Sequence, residues 1–352
     1  MDDPFITDYL IKVFLEDCGW HKARRQKIAA DWSSRYYIRL TDGLNRAILL
    51  VSPPDDSPAS VAGHKLGDLI RINAHLNGLG LSVPRIMGMD EAQGLVLMED
   101  FGTTTLDRAA RSGSDEQTAI YEDATRVLCV LRDHPDALTG IKLIDYTDGH
   151  VYRALRFLPE FYLPSLMERE RTQTDLNAAA DTDAYLSLWA DVMLALPPCL
   201  PCLTHIDFFA ENLMLLNDRK GLNRIGILDY QGAVRGPFVY DLVNLLEDAR
   251  RNIPDALKLR CKALYTEALD TQAKQAFDVW YPVIAAQFHA RVLGQIVKLS
   301  VVNGRDDLLK HRARLEAYLS HELASTPALS EIRRFLAEKG AVFAKETLSK
   351  SA

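Results

Sequence analysis

The sequence predicts an α+β chain of two lobes, a small antiparallel β lobe followed by a larger, mainly helical lobe. Three observations carry this reading. Short runs rich in β-branched and aliphatic residues crowd the first hundred positions. A single long helical pattern interrupts them. From Thr105 onward apolar residues recur at helical spacing, and strand signals return only briefly.

Ile6 to Cys18 carries Leu10, Val13 and Phe14 at helical spacing, and Gly19 closes that helix. Lys27 to Ala30, Arg35 to Leu40 and Arg46 to Val51 read as three strands. Thr41-Asp42-Gly43-Leu44-Asn45 is the turn between the second and third, and Pro53 and Pro54 end the third. A helix follows over about Ala59 to Leu79, then strands at Arg85 to Met89 and Leu95 to Met98. Glu99-Asp100-Phe101-Gly102 is the connector, so residues 1–102 form the first lobe and 103–352 the second. The second lobe holds helices at Glu116 to Arg132, Val151 to Met167, Ala184 to Leu196 and Tyr240 to Arg251, with more across Pro254 to Leu336. Its strand signals are Leu203 to Ile206, Leu213 to Leu216 and Arg224 to Leu228.

At 352 residues, 48% hydrophobic and 25% charged, the chain falls in the soluble globular class and outside the disordered and fibrous ones. A net charge of −7 argues against nucleic acid or an anionic membrane as partner of the whole chain. No apolar stretch reaches the roughly 18 residues of a bilayer span. The most apolar window, Val192 to Leu203, is broken by Pro197, Pro198 and Pro201. The N-terminus opens with Asp2 and Asp3 and lacks a signal-peptide pattern, so a cytoplasmic location is expected. Five cysteines are too few and odd in number for a disulfide scaffold. Cys199-Leu200-Pro201-Cys202 has redox or zinc spacing but no second pair, and reads as a buried, proline-kinked segment.

The stretch that carries chemistry is His205-Ile206-Asp207, with Asn212 five positions after Asp207, followed by an apolar run that ends in Asp229. Leu213 to Leu216, a polar turn and Arg224 to Leu228 make a hairpin that returns the chain to Asn212. Two carboxylates and an amide oxygen then converge. Hard oxygen donors suit a divalent cation on transferring phosphates, so Asn212 and Asp229 are candidate Mg²⁺ ligands. Asp207 is left to accept the proton of an attacking hydroxyl, and His205 to position the loop backbone.

These residues resemble the aminoglycoside phosphotransferase and choline kinase branch of the protein-kinase-like fold. The likeness is narrowest to bacterial anomeric sugar kinases that act on N-acetylmuramate and N-acetylglucosamine. Asp31-Trp32-Ser33-Ser34-Arg35-Tyr36-Tyr37-Ile38-Arg39 resembles their D-x-S-x-R-x-Y-x-R segment over the phosphates. Leu95 to Gly102 is similar to the hinge, whose backbone meets adenine, which makes Glu99, Asp100 and Phe101 candidate nucleotide contacts. Leu228-Asp229-Tyr230-Gln231 through Tyr240-Asp241 resembles their L-D-F-Q-x-A-x-x-G-P-x-x-Y-D motif. Gln287 to Gly294 resembles a late helix. In that fold family the aspartate at Asp241 anchors the catalytic loop through backbone bonds.

The resemblance implies ATP and Mg²⁺ as cofactors, a small-molecule sugar or amino sugar as substrate, and no nucleic-acid or membrane partner. Three departures stand out. The third strand, Ala47 to Val51, lacks the lysine that pairs the nucleotide phosphates in protein kinases, so Arg35 or Arg39 is left to supply that charge. The phosphate loop has no glycine, which leaves Ser33 and Ser34 as its donors. Ile206 replaces the arginine of H-R-D, and Glu211 stands beside Asn212. Two alternatives remain open. One is an aminoglycoside-type kinase with an acidic pocket from Asp145, Asp148, Glu160, Glu168 and Glu170. The other is a nucleotide-binding pseudokinase without turnover.

Overall fold

A computed structural model describes residues 4–28, 35–53, 55, 65–111, 113–135, 141–166, 176–199 and 201–341. Ser33 and Ser34 lie outside these residues, as do Glu168, Glu170 and the expected helix start at Ala59. In chain order the helix α1 (Pro4–Asp17) precedes β1 (Arg24–Ile28), β2 (Tyr36–Asp42) and β3 (Asn45–Val51). Then come α2 (Leu66–Gly78), β4 (Ile86–Asp90), β5 (Leu95–Glu99), α3 (Leu106–Ala110) and α4 (Ser114–Asp133). Short helices α5 (His150–Arg153) and α6 (Leu163–Ser165) lead to α7 (Leu176–Ala195) and β6 (Pro201–Thr204). Strands β7 (Leu213–Leu215), β8 (Ile225–Ile227) and β9 (Val234–Pro237) precede α8 (Tyr240–Leu246) and α9 (Asp255–Thr266). The chain closes with α10 (Thr271–Asn303), α11 (Arg312–Ser325) and α12 (Ser330–Glu338). Among the described residues no helix is long and apolar enough to cross a membrane.

The chain divides into two compact units. The first holds residues up to Val130, with 136–142 and Asp207–Ala233. Its sheet is antiparallel throughout, in the order β1-β2-β3-β5-β4. One sheet face is apolar, and Ile11, Phe14 and Leu15 of α1 pack on Leu40, Leu49 and Leu97. The β2–β3 hairpin turns through Gly43 at φ +59, a left-handed conformation that glycine adopts without strain. Strand β1 begins three residues before the expected Lys27. It is a sheet edge whose Arg24 to Lys27 are exposed, so it lacks the apolar alternation that marks a strand in sequence. The β7–β8 hairpin also lies in this unit, with Leu213 opposite Ile227.

The second unit comprises Leu131–Pro135, Leu143–Ile206 and Val234–Ala352. Its core gathers Leu158, Tyr185, Trp189, Leu293, Leu315 and Ile332 around α10. The expected single helix over Val151 to Met167 is broken into α5, a 3₁₀ turn at Ala154–Arg156, a π turn at Leu158–Tyr162 and α6. Pro159 and Pro164 withhold backbone donors there. Gly294 of α10 also sits so close that a Cβ would lie 2.4 Å from the Leu158 nitrogen. Strand β9, absent from the sequence reading, pairs antiparallel with β6. Cys202 of β6 is buried, and burial pushes its thiol up; the Cys199 thiol is pushed up to about 11 by the same cause.

Candidate active site

Asp207, Asn212 and Asp229 all belong to the first unit. After Ile206 the chain turns, with Phe209 N–H donating to the Asp207 carbonyl and Asn212 N–H to that of Phe209. The Asn212 Nδ2 also donates to the Asp207 carbonyl at 3.1 Å, which fixes the amide and turns its oxygen the other way. The β7–β8 ladder is extended by Leu228 N–H donating to the Asn212 carbonyl at 3.1 Å. Asp229 is the next residue, so the hairpin brings it beside Asn212, as its length predicts. Asp229 adopts φ +60 and ψ +33, left-handed and uncommon for a non-glycine residue. Its Oδ1 accepts from Gln231 Nε2 at 2.6 Å.

In the second unit, Asp241 lies in the first turn of α8. Its carboxylate accepts the His205 N–H at 2.6 Å and the Ile206 N–H at 2.9 Å. Asn244 Nδ2, one turn on, donates to the Ile206 carbonyl at 2.6 Å. His205 itself is buried.

The two candidate arginines part company. Arg39 donates to both Asp100 oxygens, at 2.7 and 3.0 Å, and to the Gly102 carbonyl at 2.7 Å. Its guanidinium is committed to the connector. Arg35 is 3% exposed and donates from Nε to Ser52 Oγ at 3.0 Å, immediately after β3. Burial lowers its pKa, while the Asp229 and Asp55 carboxylates act to raise it. Tyr37 is pushed up to about 12, by burial and then by Asp229. Arg35 and Tyr37 therefore both lie within the field of the Asp229 carboxylate.

The connector side chains are tied into the fold. Glu99 accepts from Arg85 N–H at 3.2 Å and pairs with Arg219 at 2.5 Å. Asp100 also accepts the Gly102 N–H at 2.8 Å. The Phe101 ring lies against Gly226 of β8, where a Cβ would meet it at 2.7 Å, and the Arg219 guanidinium sits 5.1 Å from its centroid. Glu211 is exposed. Of the acidic residues weighed for a polycation pocket, Asp145 faces Arg235 at 3.8 Å and Glu160 faces Arg156 at 2.7 Å.

Residues 24–278 match the model of the phosphotransferase enzyme family. The chain belongs to that family. This phosphotransferase is 29% identical over 347 residues to the N-acetylmuramate/N-acetylglucosamine kinase of Caulobacter vibrioides, which covers 91% of this chain and 93% of that protein. It is 28% identical over 309 residues to the kinase of the same name from Neisseria meningitidis, covering 83% of each chain. Among solved structures it is similar to choline kinase from Cryptosporidium parvum, with a TM-score of 0.56 at 11% identity, covering 96% of this chain and 98% of that one. It also resembles an aminoglycoside-3′-phosphotransferase of type VIII, with a TM-score of 0.52 at 16% identity over 80% of this chain and 98% of the other. The protein-kinase-like α+β fold is thereby established, and the family is one of kinases that take a nucleotide donor and a small-molecule hydroxyl acceptor.

Ser52, Asn73 and Asn244 escaped the sequence reading. Asn73 left a signal: it is a lone amide among Leu66, Leu69, Ile72 and Leu76, the apolar positions of α2. Ser52 and Asn244 left none, because a single serine or asparagine beside an apolar run has no pattern of its own.

Proposed function

We propose that this phosphotransferase is a cytoplasmic ATP- and Mg²⁺-dependent sugar kinase, acting on the anomeric hydroxyl of N-acetylmuramate or N-acetylglucosamine. The observation that carries the reading is that Asn212 is bonded on both sides, its amide to the Asp207 carbonyl and its carbonyl to the N–H of Leu228, the residue before Asp229. The relatives' shared name supports the acceptor class. We assign residues 1–102 to nucleotide binding and 103–352 to the catalytic loop and the acceptor.

The donor set fits a hard divalent cation: an amide oxygen freed by the Nδ2 bond of Asn212, and an Asp229 carboxylate that Gln231 engages through only one oxygen. Bound there, Mg²⁺ supplies charge neutralisation on the nucleotide phosphates. Asp207 takes the proton from the sugar hydroxyl as that oxygen attacks the γ-phosphorus, and the bond to the leaving ADP breaks. The Asp241 bonds to His205 and Ile206 hold the backbone that presents Asp207. Arg35 supplies the phosphate-facing charge of the missing lysine, since it reaches the end of β3 and lies within the field of Asp229. Arg39 serves the nucleotide indirectly, by fixing the connector through Asp100. The backbone of Glu99 to Phe101 meets adenine. Catalysis by such a set is mostly positioning and electrostatics.

The test is a split of roles. Asp229→Ala weakens Mg-ATP binding by calorimetry, whereas Asp207→Asn keeps nucleotide affinity and cuts kcat by about 10²-fold or more. Equal loss of affinity in both variants would overturn the assignment.

A further inference from the structure

We infer that Asn73 is a positioning residue for the Asp229 carboxylate, acting through the Tyr230 hydroxyl; this rests on the metal role proposed for Asp229. Asn73 is buried in α2, where an amide without partners would be costly. Its Nδ2 has two hydrogens and both are used: one on the Pro84 carbonyl at 2.9 Å, the other on the Tyr230 hydroxyl at 2.6 Å. The first bond is a staple within the β lobe. The second reaches the residue that follows Asp229.

That position matters because of the Asp229 backbone. A left-handed L-residue costs about 1 kcal/mol or more and persists only where its surroundings fix it. Asp229 lies between two pinned neighbours, Leu228 on the Asn212 carbonyl and Tyr230 on Asn73. The Leu228 and Gln231 bonds stay within the hairpin segment, whereas the Tyr230 bond ties that segment to α2. Tyr230 is 3% exposed and opens the 3₁₀ turn Tyr230–Gly232, so its hydroxyl has little access to water and Asn73 is its protein partner.

The test measures binding of Mg-ATP, and of ATP in EDTA, by titration calorimetry on the full chain. Tyr230→Phe removes the hydroxyl and leaves the Asn73–Pro84 bond in place; Asn73→Ser removes both. Each variant is expected to weaken Mg-ATP about tenfold, the order seen when groups that orient metal ligands are lost. ATP affinity in EDTA and the KM for the sugar stay unchanged, and the double variant binds no worse than the weaker single one. Should Asn73→Ser fail to fold, Tyr230→Phe carries the test alone. Wild-type Mg-ATP affinity in Tyr230→Phe, with Asp229→Ala still impaired, would overturn the inference and leave the proposed function standing. Wild-type affinity in Asp229→Ala as well would remove both.

Discussion

Asp241 Oδ1 holds the Ile206 N–H at 2.9 Å while Ile206 sits at φ +69, a conformation that a β-branched residue almost never adopts. The strain is placed one residue before Asp207. Asn244 holds the Ile206 carbonyl, so both polar groups of the strained peptide are secured from α8.

Replacing Asp241 with Asn turns an acceptor oxygen into a donor facing a backbone N–H. Stability to urea is expected to fall by about 2 kcal/mol, the cost of a buried group left without its bond. In steady-state kinetics kcat is expected to fall more than the KM for nucleotide rises, because the strained peptide adjoins Asp207 while Asn212, the proposed metal ligand, lies five residues further on and is held by Phe209 and Leu228.

The Arg39–Asp100 pair predicts a different phenotype. The Asp100 side chain is 1% exposed, so Arg39→Met leaves a buried carboxylate with its Gly102 bond alone. Denaturant unfolding should show a loss of about 3 kcal/mol. Arg39→Lys recovers only part of it, since an ammonium cannot reproduce the two-toothed contact.

Gly226→Ala drives a methyl group into the Phe101 ring at 2.7 Å. Overpacking of this kind costs about 1–3 kcal/mol. A displaced connector should also weaken ATP in EDTA, a readout by which this variant differs from those at Tyr230.

Much of this architecture is legible in sequence, for identifiable reasons. Strands β2, β3 and β5 bury one or both faces and so carry aliphatic runs. Strand β9 does not announce itself: Val234 to Pro237 contains Gly and Pro, and its pairing with β6 is settled by tertiary closure. At the candidate site, Asn212 and Asp229 stand out because the hairpin between them returns the chain, with Leu228 N–H on the Asn212 carbonyl. The choice between Arg35 and Arg39 is invisible in sequence, since it depends on Asp100 folding back onto β2. Asn73 and Tyr230 lie far apart in the chain, and only the fold brings them together.

Glu247 contributes to the acid limb of stability. Burial opposes its ionisation, but Lys258 at 2.6 Å and Lys262 at 3.7 Å outweigh that and hold its carboxyl below the usual range. A depressed carboxyl stabilises the fold above its unfolded pKa of roughly 4.3, and that contribution is lost as pH falls through the lower folded value. Glu247→Gln should be less stable by about 3 kcal/mol near neutrality and show a flatter decline on acidification. Urea midpoints across acid and neutral pH measure both.

Phosphate transfer to a sugar hydroxyl is the function proposed for Asp207, Asn212 and Asp229. It is tested most directly by incubating the full chain with Mg-ATP and N-acetylmuramate, N-acetylglucosamine, choline or kanamycin, and following ADP release and the product by phosphorus NMR. A sugar 1-phosphate is expected from the two N-acetyl sugars, at a rate that Asp207→Asn cuts by about 10²-fold or more. ADP release no greater than in Asp207→Asn with every acceptor, while Mg-ATP still binds, would contradict it and leave a nucleotide-binding pseudokinase.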